Sequence, residues 1–159
     1  MCRMFCTYIR PILEYNSAIW NPSLAKDIRK IESVQRYFTK RIPGLSCLPY
    51  SDRLRRLNIE TLELRRLKFD LVMVYKIIYG LVHLSCVDFF DISLASVTRG
   101  SGLKLFVPDA RLNVRKHFFA VRVVKVWNTL PQNAVNAISL LTFKSLLDKV
   151  NFDAFLTEW

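Results

Sequence analysis

The sequence has few of the residues from which catalytic and cofactor sites are usually built. It contains only four glycines and two histidines, and no glycine-rich loop has the spacing of a nucleotide-binding motif. No two aspartates are adjacent, and no group of carboxylates resembles a site for two divalent metals. His83 and His117 lack the neighbouring nucleophile and acid that a catalytic histidine needs. We therefore expect no catalytic residue, no metal site and no cofactor in this chain.

Cysteine is also sparse, and its spacing is irregular. Without a secretory context the four cysteines are expected to be free thiols. Cys2 and Cys6 could be combined with His83 and Cys86 as four zinc ligands. Nothing else in the sequence supports such a site, and a small buried hydrophobic residue is a common role for cysteine.

Long apolar runs are absent, although apolar residues make up 52% of the chain. No run approaches the roughly 20 residues needed to cross a bilayer, so a membrane partner is not expected. The first residues, MCRMFCTYIRP, lack the apolar core and cleavage site of a secretory signal. We expect an intracellular protein that is not secreted, and the sequence does not distinguish nucleus from cytoplasm.

Acidic residues are the minority, and the formal net charge is +11. The excess is uneven: residues 1–50, 51–80 and 98–127 are basic, whereas 81–97 has two acids and no base. Separate basic blocks of this kind attract phosphate backbones and other polyanions. The alternative is a solvated helical surface without a partner.

One basic block is a clear amphipathic helix between residues 24 and 42. Its apolar residues recur every three or four positions and predict one buried face, formed by Leu24, Ile28, Ile31, Val34, Phe38 and Ile42. The opposite face presents the cations Lys26, Arg29, Lys30, Arg36 and Lys40, with Tyr37 among them. Asp27 and Glu32 are expected at the margins, and Pro43-Gly44 ends the helix. Such a helix would suit a polyanion.

The remaining pattern predicts a mainly α fold. Helical spacing indicates further helices near 8–20, 51–57, 61–79, 87–92, 116–130 and 140–150, with Gly80 as a stop and Ser139 as an N-cap. In the second of these, Leu54 and Leu57 are expected to point inward and Arg53, Arg55 and Arg56 outward. Residues 98–114 are expected to be extended or to form a short β-ribbon. The aromatic residues Phe118, Phe119 and Trp127 are expected in the core, with Phe119, Val123, Val126 and Trp127 on one helical stripe.

Several sequence stretches, in order, carry a resemblance to a known family. They are YIRPILEYNSAIWNP (8–22), IESVQRYFTKRIPGL (31–45), LPYSDRLRRLNIETLELRRL (48–67), DLVMVYKIIYGL (70–81), RGSGLKL (99–105), NVRKHFFAVRVVKVWNTLP (113–131) and FKSLLDK (143–149). Together they resemble the region that follows the catalytic palm in the RNA-directed DNA polymerases, or reverse transcriptases, of jockey-like non-LTR retrotransposons. The resemblance covers about residues 8–150.

The resemblance implies a thumb and C-terminal extension without the palm, which in the family would use Mg, and without the endonuclease. It implies a thumb-like helical region at 1–80, a connecting segment at 81–115 and a C-terminal helical region at 116–159. The implied partner is RNA or an RNA–DNA template–primer duplex. Charge pattern alone selects the candidate contacts, which are Lys26, Arg29, Lys30, Arg36, Lys40, Arg41, Arg53, Arg56, Arg65, Arg66, Arg99, Arg111, Arg115 and Lys116.

Two other interpretations stay open. The chain could be a protein-interaction module whose apolar faces dock another protein, or a non-functional relic of such an element. A mean hydropathy of +0.18 is high for so basic a chain. We expect an exposed apolar face on the Tyr8–Trp20 segment, where the palm of the family would pack.

Overall fold

A computed structural model of the chain describes residues 2–92 and 103–157, and these residues are mainly α-helical, as the sequence predicts. Within the described residues, β pairing is limited to one antiparallel bridge between Ile92 and Leu105. Part of the expected ribbon at 98–114, including Arg99, lies outside the described residues. The chain divides into two compact units: Met1–Arg66 with Leu156–Trp159, and Leu67–Phe155. The three-part division suggested by charge and resemblance stays a prediction.

Unit 1 contains most of the amino-terminal helices. They are α1 (Cys2–Met4), a π-helical turn (Phe5–Ile9), α2 (Arg10–Glu14), α3 (Ser17–Trp20), α4 (Ala25–Lys40), α5 (Tyr50–Leu57) and the first turn of α6 (Leu62–Ile78). The single helix expected at 8–20 is therefore broken. Pro11 lies at the start of α2, where a missing N–H is tolerated, and Asn16 adopts a left-handed φ of 56° between α2 and α3. The backbone and side chain of Thr157 donate to the Glu63 carboxylate, which ties the last described residues to this unit.

Unit 2 contains the rest of α6 and the later helices. These are α7 (Cys86–Phe89), α8 (Asn113–Lys116), α9 (Phe119–Trp127), α10 (Gln132–Val135), α11 (Leu140–Leu147) and a 3₁₀ turn (Asp153–Phe155). Gly80 ends α6 as predicted: its φ is +64°, and the Leu81 N–H donates to the Lys76 carbonyl at 2.8 Å. The Ser139 hydroxyl accepts the Thr142 N–H at 3.1 Å, which confirms the predicted cap.

The core of unit 2 is aromatic and aliphatic. Tyr75 stacks on Phe143 with ring centres 4.4 Å apart, and its hydroxyl donates to the Ala137 carbonyl at 2.7 Å. Trp127 is almost fully buried and donates from its indole N–H to the Leu103 carbonyl. The predicted stripe is confirmed, since its four members, Phe119, Val123, Val126 and Trp127, are all buried. The helix begins at Phe119 and ends at Trp127, so it is shorter than expected. Phe118 is its N-cap residue and is 56% exposed, so its expected position in the core is wrong.

Across residues 2–92 and 103–157, no helix combines the length and the apolar character needed to cross a lipid bilayer.

Candidate nucleic-acid interface

The basic face of α4 is exposed. Its cations recur at helical spacing, so they share one side of the helix and its carboxyl-terminal cap; they are Lys26, Arg29, Lys30, Lys40 and Arg41. At 1.5 Å per residue, the distance from position 26 to position 40 is about 21 Å. Tyr37 is exposed on the same face, and the Arg41 guanidinium carbon lies 3.9 Å from the centre of its ring. The result is two groups of cations on one side of α4, separated by about 15 Å along the helix axis, with the Tyr37 ring between them.

The opposite face of α4 is buried and contains part of the predicted apolar face, since Ile28 is buried and Ile31, Phe38 and Ile42 are half-buried. Its fully buried members are the polar residues Glu32, Gln35 and Thr39. Leu24 is 65% exposed and Val34 is 39% exposed, although both were expected to be buried. The buried face is therefore rotated by about 60° from the predicted one, at 100° per residue. The expected position of Glu32 at the margin of the helix is wrong.

Glu32 connects α4 to the start of α6. Both of its carboxylate oxygens accept the Leu62 N–H, at 2.9 and 3.2 Å, and one also accepts the Tyr50 hydroxyl of α5. Leu62 is the first residue of α6, where a backbone N–H has no partner within its own helix. A carboxylate at a helix amino terminus also interacts favourably with the helix dipole. This buried side chain thus joins three helices.

Gln35 and Arg53 extend the same contacts. The Gln35 amide donates to the Glu60 carbonyl at 2.8 Å and to the Tyr50 hydroxyl at 3.1 Å. Arg53 donates from Nη1 to the Arg36 carbonyl at 2.8 Å and to the Thr39 hydroxyl at 3.1 Å. These contacts bind α5 along the buried side of α4 and fix which side of α4 faces outward.

Burial changes the titration of this cluster. Desolvation raises the pKa of Glu32, and the hydrogen bonds from Tyr50 and Leu62 only partly oppose that rise. Desolvation and the neighbouring Glu32 carboxylate raise the pKa of Tyr50. The Tyr50 phenol therefore stays protonated and donates a hydrogen bond to the Glu32 carboxylate.

Three of the arginines named as contacts are used within the protein. Arg53 is buried, so its expected outward orientation is wrong. Arg66 is 1% exposed and donates from Nε to the Asn21 side-chain oxygen at 2.9 Å. Arg65 forms a two-point ion pair with Glu14, and hydrogen bonding to this carboxylate raises the pKa of Arg65. Buried or internally paired guanidinium groups cannot lie along a phosphate backbone, so these three residues are removed from the candidate surface.

The other candidates have mixed positions. Arg36 is half-buried, with its guanidinium carbon 4.8 Å from the centre of the Tyr50 ring. Arg56, Arg111, Arg115 and Lys116 are exposed, the last three in unit 2. Within unit 1 the structure thus places five of the predicted cations on one side of α4, half-buries Arg36, and pairs or buries Arg53, Arg65 and Arg66 inside the fold.

The Tyr8–Trp20 segment exposes large apolar side chains, as the sequence predicts. Tyr8, Ile12, Tyr15 and Ile19 are each more than two-thirds exposed. The single helix expected at 8–20 would place several of these residues on one face, but the segment is divided among short helices.

In the part of the chain that the structure describes, no three His, Cys, Asp or Glu side chains are grouped as metal ligands. No family model, curated protein or solved structure matches this chain.

Proposed function

We propose that this chain binds a nucleic-acid backbone through the basic face of α4, defined by Lys26, Arg29, Lys30, Lys40 and Arg41. One observation carries the proposal: five exposed cations lie on one side of α4, whose other side is held by buried hydrogen bonds, and the one exposed acid of the helix, Asp27, lies at the edge of that face. Cations that meet phosphates release the counterions of the nucleic acid, which is the main source of sequence-independent affinity.

The charge pattern of α4 favours a polyanion over plain solvent. A helix face that meets only water commonly alternates acids and bases, which pair at positions three or four apart. On this face only Lys30 has an exposed acid at such a position, since Asp27 lies three residues before it, whereas Lys26, Arg29, Lys40 and Arg41 have none. Exposed like charges repel each other, and a negatively charged partner relieves that repulsion.

The buried side of α4 supports the same proposal. Glu32, Gln35 and Thr39 hold the helix against α5 and α6 by hydrogen bonds. A helix fixed in this way presents its cations without a backbone ordering cost at the moment of binding. Tyr37, exposed among them, offers an aromatic surface to an unpaired base.

The sequence resemblance narrows the class of nucleic acid. It supports a thumb-like, template–primer-binding part of a non-LTR retrotransposon reverse transcriptase, with RNA or an RNA–DNA duplex as partner. The chain would then be inactive as a polymerase by itself, because the palm that uses Mg in the family is not among the matching stretches.

The proposal is tested by charge reversal with a matched control. Lys30→Glu/Lys40→Glu changes the net charge by −4 on the α4 face, and Lys144→Glu/Lys149→Glu makes the same change at exposed lysines in unit 2. Fluorescence anisotropy with a labelled RNA–DNA duplex at low salt is expected to show binding by the wild type and the control, and strongly weakened binding by the α4 variant. Equal loss in both variants, or no binding by the wild type, would refute the proposed surface.

A second candidate is a protein-interaction module. Its support is the exposure of four large apolar side chains within one short segment, Tyr8, Ile12, Tyr15 and Ile19, since exposed apolar surface is typical of docking sites. The docked partner would be the palm of the family or another protein. Analytical ultracentrifugation distinguishes this candidate: association that Ile12→Ser/Ile19→Ser abolishes supports it, and a wild type that stays monomeric at high concentration opposes it.

A further inference from the structure

Unit 2 contains a pocket of about 540 Å³ with a lining of mixed chemistry. Its apolar residues are Val107, Pro108, Ala110 and Val121, its basic residues are Lys116, His117, Arg122 and Lys125, and its acidic residue is Asp109. A volume of this size lies within the usual range for small-molecule sites, roughly 300–1,000 Å³.

Arg122 holds part of the basic lining of the pocket in place through hydrogen bonds. Its Nε and Nη2 donate to the two carboxylate oxygens of Asp70, at 3.0 and 3.2 Å, and its Nη1 donates to the His117 carbonyl at 3.0 Å. The Asp70 side chain is only 2% exposed, so this ion pair is held away from solvent. Arg122 thus attaches the segment that carries Lys116 and His117 to α6 through Asp70.

The positive charge available to a ligand comes from the lysines. Asp70 offsets the charge of Arg122, whereas Lys116 and Lys125 are exposed. An ammonium group binds phosphate as a compact point charge with three donors. An imidazole N–H, such as that of His117, is a further donor to a phosphate oxygen.

The other lining residues are complementary to the rest of a nucleotide. A carboxylate such as that of Asp109 accepts hydrogen bonds from ribose hydroxyls, as acidic residues do in dinucleotide sites. An apolar wall such as Val107 and Pro108 favours a flat, weakly hydrated ring. Phosphate, sugar and base are the one common combination that uses all three kinds of lining.

We propose that this pocket binds a single nucleotide, with its phosphate at Lys116, His117 and Lys125, its ribose at Asp109 and its base on the Val107–Pro108 wall. The site is independent of the α4 face. Its ligand is either a free mononucleotide or the terminal nucleotide of a strand, since the two share the same chemistry.

Isothermal titration of the full chain with AMP tests the proposal. Saturable binding is expected, tighter than that of inorganic phosphate or adenosine alone. Lys116→Ala/Lys125→Ala is expected to weaken AMP binding by about 100-fold, at about tenfold for each charge-assisted contact. The matched control Lys144→Ala/Lys149→Ala, which removes two exposed lysines on and beyond α11, is expected to leave it unchanged. Circular dichroism checks that both variants are folded.

The outcomes that contradict the proposal are specific. AMP that does not saturate the wild type, or that binds the Lys116→Ala/Lys125→Ala variant as well as the wild type, overturns it. Inorganic phosphate that binds as tightly as AMP overturns the nucleotide assignment. Lys30→Glu/Lys40→Glu is expected to keep AMP binding, so failure of the α4 interface and failure of this pocket are distinguishable.

Competition identifies the source of the nucleotide. An oligonucleotide with a 5′-phosphate that displaces AMP, while the same oligonucleotide with a 5′-hydroxyl does not, assigns the site to a strand end. AMP binding that neither oligonucleotide displaces assigns it to a free mononucleotide. Displacement by both to the same extent would contradict recognition of the phosphate at Lys116 and Lys125.

Discussion

Replacing Glu32 with alanine is expected to destabilise unit 1 more than any exposed substitution on the same helix. The side chain is fully buried and accepts hydrogen bonds from the Leu62 N–H and the Tyr50 hydroxyl. Its removal leaves two donors without their acceptor. Each buried donor that loses its partner costs about 1–3 kcal/mol.

The cost is reduced because the carboxylate is itself unfavourable in its buried site, as its raised pKa indicates. We therefore expect Glu32→Ala to lower the free energy of unfolding by about 2–4 kcal/mol. Asp27→Ala, which removes an exposed acid from the same helix, is expected to change it by less than about 0.5 kcal/mol. Urea unfolding followed by circular dichroism measures both. A loss below about 1 kcal/mol for Glu32→Ala would refute the structural role assigned to this residue.

The pH dependence provides an independent check. Because the pKa of Glu32 is raised in the folded state, the native protein keeps this proton at pH values where the unfolded chain has released it. The part of the stability that is linked to this proton is therefore fully present below the ordinary glutamate pKa of about 4.3. It is lost as the pH rises through the raised pKa of Glu32 in the folded state. Glu32→Gln is expected to remove this part of the pH dependence. A wild type whose stability relative to Glu32→Gln rises with pH in that range would contradict the assignment.

Three further changes have expected outcomes that chemical denaturation can measure. Gly80→Ala is expected to cost about 1 kcal/mol from backbone strain alone, since φ is +64° and no atom lies within 4 Å of the added Cβ; Gly80→Asn should cost less. Ser139→Ala is expected to cost about 1 kcal/mol through loss of its cap, and Ser139→Asp should restore most of it. Asp70→Ala is expected to cost about 3 kcal/mol because it removes a buried carboxylate from Arg122, whereas Asp148→Ala should cost less, about 1 kcal/mol, because the Asp148 carboxylate is 67% exposed although its partner Lys68 is mostly buried. Equal losses for Asp70→Ala and Asp148→Ala would contradict the burial argument.

The helices of unit 2 follow the sequence pattern closely. Phe119, Val123, Val126 and Trp127 hold helical spacing and are all buried. Gly80 and Ser139 mark helix ends by local chemistry, which needs no information from distant residues. Hydrophobic periodicity and capping residues are therefore sufficient to predict buried positions and helix ends where the core is apolar.

In unit 1 the same reasoning misplaces the buried face of α4. Hydrophobic periodicity assumes that apolar side chains occupy the interior, but Glu32 and Gln35 are buried there because Leu62, Tyr50 and Glu60 supply their hydrogen bonds. Those partners lie 15–30 residues further along the chain. A single-helix pattern contains no information about acceptors and donors at that distance.

The basic candidates divide into exposed residues and buried residues, because distant parts of the chain supply hydrogen-bond partners for some of them and not for others. Lys30 and Lys40 are exposed as predicted, and lysine is rarely buried without a partner. Arg53 and Arg66 were expected at the surface, but carbonyl and side-chain oxygens of other helices accept their N–H groups inside the fold. The multiple donors of arginine make it the basic residue most readily used in this way. Arginine-rich segments therefore predict binding surfaces less reliably than lysines on an exposed helix face.

The salt dependence of binding to an RNA–DNA duplex tests the proposed interface most directly. If the five cations of the α4 face each meet one phosphate, the slope of log K against log salt concentration should be about −4.5. Affinity should then fall by about 500-fold between 50 and 200 mM salt, and by only about 40-fold for Lys30→Glu/Lys40→Glu, with three contacts remaining. The control Lys144→Glu/Lys149→Glu should keep the wild-type slope. Binding that is independent of salt, or a slope that Lys30→Glu/Lys40→Glu leaves unchanged, would contradict the account.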